Sequence, residues 1–400
     1  MHKIQQVTVF TQGDSTRPST WSNLPYMFTR TLEERGIRVN RVDLSPSLAG
    51  KLINRTWRAA QGLLRREATF DYTRSLLHHL LVKRRVRHAV RRHPQADVNI
   101  FLTFSVSSSG MCDQPTVLFG DWTYGHCVSH FRDRTPNWLE RGAIERENRE
   151  IEAADCVFVL FPSIAERMRQ SYRNPHIYYA GNVVNALLHQ PEAELLQRKA
   201  ASTALLFIGS RTYLEGARRL LKAFALIRAE RPQWTLDIVG LTERELGPCP
   251  AGVRCYGYLD KGVARDREIY YQLMAGARCI VNTNPKWAAF SAMIEAMHFY
   301  TPVIVTPYEE FVQTFGQDIA FGAYCADEPG VDAAVALAQR LRLLDDDRHL
   351  QRCRAAHEAV ADYQWDKYID RLLARISSVT SAPRRGAADT ARARPEAESG

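Results

Sequence analysis

The sequence contains no long apolar run. A membrane-spanning helix needs about 20 consecutive apolar residues, whereas runs such as residues 156–161 are far shorter. The first residues also lack an apolar stretch followed by a small-residue cleavage site, which is the pattern of a secretory signal. We therefore expect a chain that does not cross a bilayer and that resides in the cytoplasm.

Cysteine motifs are missing as well. The eight cysteines form no Cys-x-x-Cys pair, and none lies near a histidine pair at zinc-binding spacing. We expect free thiols in a reducing compartment, most of them buried, and no metal site.

The composition excludes a disordered or fibrous chain. Hydrophobic residues make up 45% and charged residues 24% of the 400 residues, so the chain is able to bury a large core. A single core rarely serves so many residues, and domains of about 150 to 200 residues are usual. The sequence therefore predicts two domains.

Apolar strand-like runs alternate with helical patterns in both halves of the chain, which is typical of parallel sheets covered by helices. Strands are predicted at 7–12, 37–44, 98–104, 116–119, 156–161 and 176–180, and then at 205–209, 235–240, 253–256, 279–281 and 302–306. The fold class is therefore α/β, with two doubly wound, Rossmann-like domains.

Domain limits follow from the same pattern. The predicted units are an N-terminal domain (1–185), a connection (186–202) in which 192–199 could be a short helix, a C-terminal domain (203–362), a last helix (363–377) and a tail (378–400). The tail is rich in Ser, Ala, Arg, Pro and Gly, so we expect it to be disordered.

Ligands of open parallel sheets gather at the carboxyl ends of the strands. Gly209, Ser210 and Arg211 follow one predicted strand and precede a helix, so a phosphate fits there, although such a glycine alone is commonly a turn. Glu295 lies inside an otherwise apolar helix, where a carboxylate needs a partner. That partner is either a ligand or neighbouring backbone.

An ordered series of motifs in the second half resembles the retaining nucleotide-sugar glycosyltransferases of the GT-B fold, of the type called glycosyltransferase family 4. The matching segments are residues 209–224, Pro232 with 236–240, Gly257-Tyr258-Leu259, Glu295-Ala296-Met297 and Pro302-Val303-Ile304, with a weaker match at 363–366. The resemblance implies two Rossmann-like domains that face each other across a cleft, with the C-terminal domain holding the donor.

The resemblance also implies roles for individual residues. It implies that an arginine and a lysine hold the donor pyrophosphate and that two glutamates hold the sugar and the ribose, of which the ribose glutamate maps onto Glu295. In this sequence Arg211 lies one residue after the family's arginine position. Glu215 stands at the family's lysine position, and Trp287 stands at the position of the first glutamate. Lys286 or Arg218 could replace the missing cation. The expected donor-binding residues are Gly209, Ser210, Arg211, Tyr258, Leu259, Lys286, Phe290, Ser291 and Glu295.

The N-terminal half supplies the expected acceptor side. Gly13, Asp14, Trp21 and Asn23 follow the first strand, where the family's acceptor loop lies, although Ser22 or Asn23 could also cap a helix and Trp21 pack under it. Asp121 is the expected catalytic residue, because a carboxylate after a strand could orient a sugar hydroxyl. A turn-forming role is the alternative.

Positive charge is concentrated in one segment. The chain carries +9, and residues 51–95 hold twelve Lys and Arg against Glu67 and Asp71, so this segment alone carries +10. Interleaved leucines make it a candidate for an anionic membrane surface, with a solvated helix face as the alternative. No nucleic-acid-binding motif is present.

The function implied is transfer of a sugar, with retention of configuration, from a nucleotide-diphosphate donor to a saccharide or lipid-linked acceptor in glycan assembly. No cofactor and no metal ion are expected; residues 345–347, three aspartates in a row, are expected to be a helix connector. The substitutions at Glu215 and Trp287 leave open a catalytically impaired binding or regulatory protein. A sugar-nucleotide 2-epimerase is a further alternative.

Overall fold

The computed structural model describes residues 4–63, 71–327, 329–343 and 346–380. The N-terminal domain is built on six parallel strands in the order β2-β1-β3-β4-β5-β6. These strands are β1 (Gln6–Thr11), β2 (Arg38–Asp43), β3 (Val98–Phe101), β4 (Thr116–Gly120), β5 (Cys156–Val159) and β6 (Ile177–Tyr179). The central strands β3, β4 and β5 are buried along their whole length, as expected when helices cover both faces of a sheet.

Within the described residues, six α-helices connect these strands. They are α1 (Leu24–Glu34), α2 (Leu48–Leu63), α3 (Leu76–Arg92), α4 (Tyr124–His126), α5 (Trp138–Ala153) and α6 (Pro162–Ser171). Helix α4 continues into a π-helical turn, Cys127–Phe131. The Asn137 side chain caps α5 by accepting from the Glu140 backbone N–H, and the Glu140 side chain accepts from the Asn137 backbone N–H. This capping box fixes where the helix begins.

The C-terminal domain repeats the arrangement with the strand order β12-β11-β10-β7-β8-β9. The strands are β7 (Ala204–Ile208), β8 (Thr235–Val239), β9 (Val253–Gly257), β10 (Ala277–Asn282), β11 (Val303–Val305) and β12 (Gly322–Tyr324). The helices are α7 (Glu192–Ala201), α8 (Leu214–Glu230), α9 (Glu243–Leu246), α10 (Ala264–Gly276), α11 (Phe290–His298), α12 (Glu309–Phe315), α13 (Ala333–Leu343), α14 (His349–Ala359) and α15 (Trp365–Thr380). The predicted GT-B architecture of two doubly wound domains is thus confirmed.

The predicted connection contains helix α7, which is anchored on the C-terminal domain. Lys199 is fully buried and donates to the Met274 and Ala277 carbonyls at 2.6 and 2.9 Å and to the Thr301 hydroxyl at 2.7 Å. Burial lowers the pKa of Lys199 to about 7. The helical part of residues 186–202 is therefore packed into the second domain.

The last helix returns to the N-terminal domain. On α15, Trp365 lies edge-on to Phe28 with ring centroids 6.2 Å apart, and Asp370 pairs with Arg35 at 2.5 Å. Helix α15 ends at Thr380, three residues beyond the expected limit of 377, and the rest of the predicted tail lies outside the described residues. Within the described ranges, no helix is long and apolar enough to span a bilayer.

Candidate functional site between the two domains

A cavity of about 530 Å³ lies between the two domains, at the carboxyl ends of both sheets. Loops after β1, β4 and β5 form its N-terminal wall, and loops after β7, β8 and β9 with the start of α11 form its C-terminal wall. Each sheet reverses its strand order, at β1/β3 and at β7/β10, and ligands of such sheets bind beside that point. The cavity is therefore the candidate active site.

Two glycines bring the loops of the C-terminal wall together. Gly240 has a φ of +93°, and a Cβ atom there would lie 2.4 Å from the Gly209 carbonyl oxygen. A Cβ at Gly216 would lie 2.9 Å from the Asn284 backbone nitrogen. Larger residues at these positions would force the loops apart.

The start of α11 points into the cavity. Ala289, Phe290, Ser291 and Ala292 all line it, and no side chain caps the helix. The first N–H groups of a helix lack intrahelical acceptors and carry partial positive charge. This end of α11 is suited to bind an anionic group such as a phosphate.

Glu295 accepts four hydrogen bonds at the base of the cavity. Lys261 donates to its two oxygens at 2.9 and 2.8 Å, and the Tyr271 and Tyr270 hydroxyls each donate at 3.0 Å. Burial and the nearby Glu295 raise the pKa of both tyrosines, so they remain donors. The partner that this carboxylate requires is supplied by other side chains of the same domain.

Lys261 is the only cation among the described residues that line the cavity. Its ammonium group also lies 4.3 Å from the centre of the Tyr270 ring, which is a cation–π contact. Two of its three N–H bonds are directed to Glu295. Lys261 is thus held at the cavity wall by Glu295.

A strained turn forms part of the N-terminal wall. Trp21, Ser22 and Asn23 have φ values of 40°, 51° and 69°, a left-handed conformation that costs non-glycine residues about 1 to 3 kcal/mol each. The turn is held by Asn23, whose side-chain N–H donates to the Asn185 carbonyl at 3.0 Å. Such strain persists where the surrounding structure imposes it, and clusters at functional sites.

Asp121 lies at the end of β4 and lines the same wall. Its Oδ1 accepts from the Trp122 N–H at 2.8 Å. Burial raises the pKa of the Asp121 carboxyl above its ordinary value, against the opposing effect of that hydrogen bond. The carboxyl is therefore placed to hold a hydroxyl group of a ligand.

Trp287 occupies the interface between the domains. Its ring lies 4.9 Å from Trp122, 5.0 Å from Phe161 and 5.2 Å from Tyr308. The first two belong to the N-terminal domain, so Trp287 joins both domains in one aromatic cluster. The residue that departs from the family pattern thus has a packing role beside the cavity.

Most of the residues expected from the sequence converge on the cavity. Those that line it are Trp21, Asn23, Asp121, Gly209, Ser210, Tyr258, Leu259, Phe290, Ser291 and Glu295. The chain brings them together because strands of a parallel sheet all end at the same edge.

Gly13, Asp14, Arg211 and Lys286 do not line the cavity. The Gly13 N–H donates to Asp43 at 3.0 Å, and Asp14 bonds Thr16 within its own exposed turn. The Arg211 side chain is 79% exposed and lies 3.8 Å from Glu245. Lys286 pairs across the domains with Asp133 at 2.9 Å.

Arg218 also lies away from the cavity, because its guanidinium donates to the Glu245 carbonyl at 3.3 Å. Neither replacement considered for the missing lysine therefore reaches the site. Sequence reasoning missed Lys261, although its position four residues after the strand β9 and directly before Gly262 was a usable signal. It also missed Tyr270 and Tyr271, which helical spacing alone does not distinguish from core residues.

Metal-binding groups are not assembled in the part of the chain that is described. There, no group of three or more His, Cys, Asp or Glu side chains is arranged to hold a metal ion. Asp346 pairs with Arg352 at 2.6 Å, and Asp345 lies outside the described residues. All eight cysteines are present as thiols; four are buried and four half-buried.

The second domain matches a known protein family. Residues 202–346 match the family model of glycosyl transferases group 1. This segment begins at the end of α7 and includes β7 to β12 and α8 to α13. A comparison with curated proteins gives no significant match.

Solved structures with the same architecture span both domains. Sucrose-phosphate synthase from Thermosynechococcus elongatus superposes with a TM-score of 0.64 at 15% identity, covering 95% of this chain and 100% of that one. Anabaena Alr3699/HepE in complex with UDP and glucose gives 0.61 at 15% identity, with 94% and 100% covered. The calicheamicin glycosyltransferase CalG4 gives 0.52 at 12% identity, with 96% and 100% covered.

At these identities the structural likeness shows the fold, and the family match shows the kind of domain. The resemblance read from residues 209–304 is thereby confirmed at the level of fold and enzyme class. The chain therefore has the GT-B fold of two paired Rossmann-like domains, and its second domain, residues 202–346, is a domain of the glycosyl transferases group 1 family.

Proposed function

We propose that this enzyme transfers a sugar, with retention of anomeric configuration, from a nucleotide-diphosphate donor to a saccharide or lipid-linked acceptor in glycan assembly. The observation that carries the proposal is the cavity's C-terminal wall, where the uncapped start of α11 lies beside Lys261 and the turn at Tyr258 and Leu259. The segment that matches group 1 glycosyl transferases contains this whole wall.

The donor diphosphate is proposed to lie at the start of α11. Backbone N–H groups of Phe290 and Ser291 and the third N–H of Lys261 would then contact its oxygens. Negative charge grows on this diphosphate as the sugar leaves, and donors already fixed in place stabilise it without reorganising. Lys261 thus takes the role that the resemblance gave to Arg211 and a second cation.

The nucleoside is proposed to extend toward Tyr258, Leu259 and Glu295. Because Glu295 is already bonded by three side chains, a ribose would have to share or displace one of these donors. Of the three residues, Lys261 has the greatest freedom to move, since its stem is flexible and it pairs as a point charge.

The acceptor is proposed to enter along the N-terminal wall. Asp121 would orient a hydroxyl of the acceptor or of the donor sugar, and Trp21 and Asn23 would contact the acceptor. In the retaining reaction implied by the resemblance, the acceptor oxygen bonds to the anomeric carbon as the carbon–phosphate oxygen bond breaks. The acceptor proton passes to the departing phosphate oxygen on the same face. The proposal requires no metal ion or other cofactor.

A lipid-linked acceptor would place this enzyme in the cytoplasm at the inner face of a membrane. The basic helices within residues 51–95 are the part of the chain proposed to contact an anionic surface there.

The first test is a donor screen by calorimetry and thermal shift. The Anabaena HepE structures hold UDP with glucose and UDP-glucose, so UDP-glucose is the first donor to examine, followed by the UDP, GDP, ADP and CMP series. A bound donor raises the melting temperature. Weaker donor binding in Lys261→Met but not in Lys367→Met, an exposed lysine of α15, supports the proposed site.

The second test is the product. Incubation with donor and candidate acceptors, followed by NMR of the anomeric proton, distinguishes retention from inversion. Failure to bind any nucleotide, an inverted product, or conversion of the nucleotide sugar without an acceptor would each overturn the proposal. The last result would point to an epimerase.

A further inference from the structure

Helix α2 is attached to the protein through its polar side. Gly50 is buried beside the Tyr72 ring, where an added Cβ would lie 3.1 Å from a ring carbon, and the Asn54 side chain accepts from the Tyr72 N–H at 3.1 Å. The apolar side faces solvent, with exposed fractions of 85% for Leu48, 63% for Leu52 and 46% for Ile53. In an ordinary amphipathic surface helix the apolar side is buried, whereas in α2 the apolar residues are exposed together with most of the polar ones.

Helix α3 adds a second group of exposed leucines. Leu76, Leu77, Leu80 and Leu81 are all exposed, whereas Val82, Val86 and Val90 on the opposite side are buried in the core. The two helices are held against the same segment, since Tyr72 contacts Gly50 of α2 and its ring lies 5.2 Å from that of His78 in α3. We call the exposed side of Leu48, Leu52, Ile53, Leu76, Leu77, Leu80 and Leu81 the leucine face.

Cations continue the leucine face along α3. Arg84, Arg87 and Arg91 are exposed and follow Leu76, Leu77 and Leu80 at helical spacing, on the same side of the helix. Two other cations are turned inward: Lys83 pairs with Glu150 at 2.7 Å, and Arg85 donates to the Ser45 carbonyl at 2.8 Å. Arg84, Arg87 and Arg91 thus form a row beside the leucines of α3.

Exposed leucines beside exposed arginines are typical of a helix surface that contacts a lipid bilayer. Large exposed apolar patches on soluble proteins mark protein or membrane interaction sites. Helices with leucines on one side and arginines beside them lie in the membrane interface, where the leucines enter the acyl boundary and the arginines meet anionic headgroups. Nearly every residue of α2 from 51 to 60 is exposed, so this helix is a projecting ridge that can enter a lipid surface.

The start of α3, which carries Leu76 and Leu77, lies near the carboxyl edge of the N-terminal sheet. Arg74, which directly follows Tyr72 and Thr73, donates to Ser105 after β3 at 2.7 Å and pairs with Glu147 at 3.0 Å. The same carboxyl edge of the sheet carries Asp121. A surface docked on the leucine face would therefore present its lipids toward the acceptor wall of the cavity.

We propose that the leucine face inserts into a bilayer that contains anionic lipids, with Arg84, Arg87 and Arg91 against the headgroups. This docking rests on the proposed function only for the identity of the acceptor, which would then be lipid-linked. The docking itself depends on the exposed residues alone.

The test is co-sedimentation of the full chain with phosphatidylcholine vesicles, with and without phosphatidylglycerol. We expect binding to the anionic vesicles and little to the neutral ones. Leu52→Glu with Leu80→Glu should weaken binding at least about tenfold. Arg84→Gln with Arg87→Gln should weaken it about fivefold per cation and reduce its salt dependence.

The matched control is Leu343→Glu, since Leu343 is 62% exposed on α13 of the other domain and should leave vesicle binding unchanged. Nucleotide binding by calorimetry should be equal in all variants, which separates failure of docking from failure of the donor site. Absence of the unmodified protein from the anionic vesicle pellet would overturn the inference. An equal loss of vesicle binding in the Leu343→Glu control would also overturn it. So would a protein that binds no vesicles but sediments as a dimer, if Leu52→Glu with Leu80→Glu converts that dimer to a monomer.

Discussion

Lys261 bonds both carboxylate oxygens of Glu295, at 2.9 and 2.8 Å, beneath the cavity between the two domains. The two residues lie on different elements, one in the turn after β9 and the other in α11. The pair is nearly buried, with side-chain exposures of 12% and 2%. Among the described residues that line the cavity, it connects the single cation to the helix whose start faces the cavity.

The first prediction concerns stability. Lys261→Met should lower the free energy of unfolding by about 3 kcal/mol, because removal of one partner leaves a buried charge uncompensated. Adding Glu295→Gln should recover part of the loss, since an amide needs no countercharge. Urea unfolding of the unmodified protein, the two single variants and the double variant measures the coupling free energy between Lys261 and Glu295. Lys367→Met, which breaks the exposed pair with Asp362, is the control.

The second prediction compares two cations in donor binding. Lys261→Met should weaken nucleotide binding about tenfold or more, as expected for a lost hydrogen bond from a charged group. Arg211→Ala should have the smaller effect, because the Arg211 side chain is 79% exposed and lies by Glu245. Calorimetry with the best donor measures both. The reverse order would show that Arg211 moves into the cavity when the donor binds.

The third prediction concerns Trp287. Restoring the family residue with Trp287→Glu should destabilise the protein by about 3 kcal/mol, since a carboxylate would enter the aromatic cluster of Trp122, Phe161 and Tyr308. Thermal unfolding measures the change, and Trp138→Ala at a 73% exposed site is the control. A gain in transferase activity from Trp287→Glu would contradict the packing role.

The fourth prediction concerns pH. Glu310 of α12 is buried against α6, where Ser163 donates to it at 3.3 Å, and burial raises the pKa of Glu310 to about 7. Because the folded protein holds this proton more tightly than the unfolded chain, the contribution of Glu310 to stability should fall as pH rises from about 4.5 to about 7 and then level off.

The slope contributed by Glu310 should approach about 1.4 kcal/mol per pH unit and should disappear in Glu310→Gln. Urea unfolding across this pH range measures it. Exposed Glu358→Gln should retain the slope of the unmodified protein. An unchanged slope in Glu310→Gln would mean that another group binds the proton.

The sequence by itself determined the architecture. Buried strands leave continuous apolar runs, and loops after parallel strands must gather at one edge, so the two sheets and most of the cavity residues followed from order along the chain. The strand β12 was not predicted, because Gly322–Tyr324 is three half-buried residues without a distinctive run.

Only the tertiary structure decided which charges meet. Lys261 and Glu295 are 34 residues apart, and the direction of each side chain depends on how the turn after β9 and α11 pack together. The same reason separates Arg84, which faces solvent, from Lys83, which pairs with Glu150. Composition revealed a basic, leucine-rich segment, but the side of α2 that faces water was settled by the contacts of Gly50 and Asn54 with Tyr72.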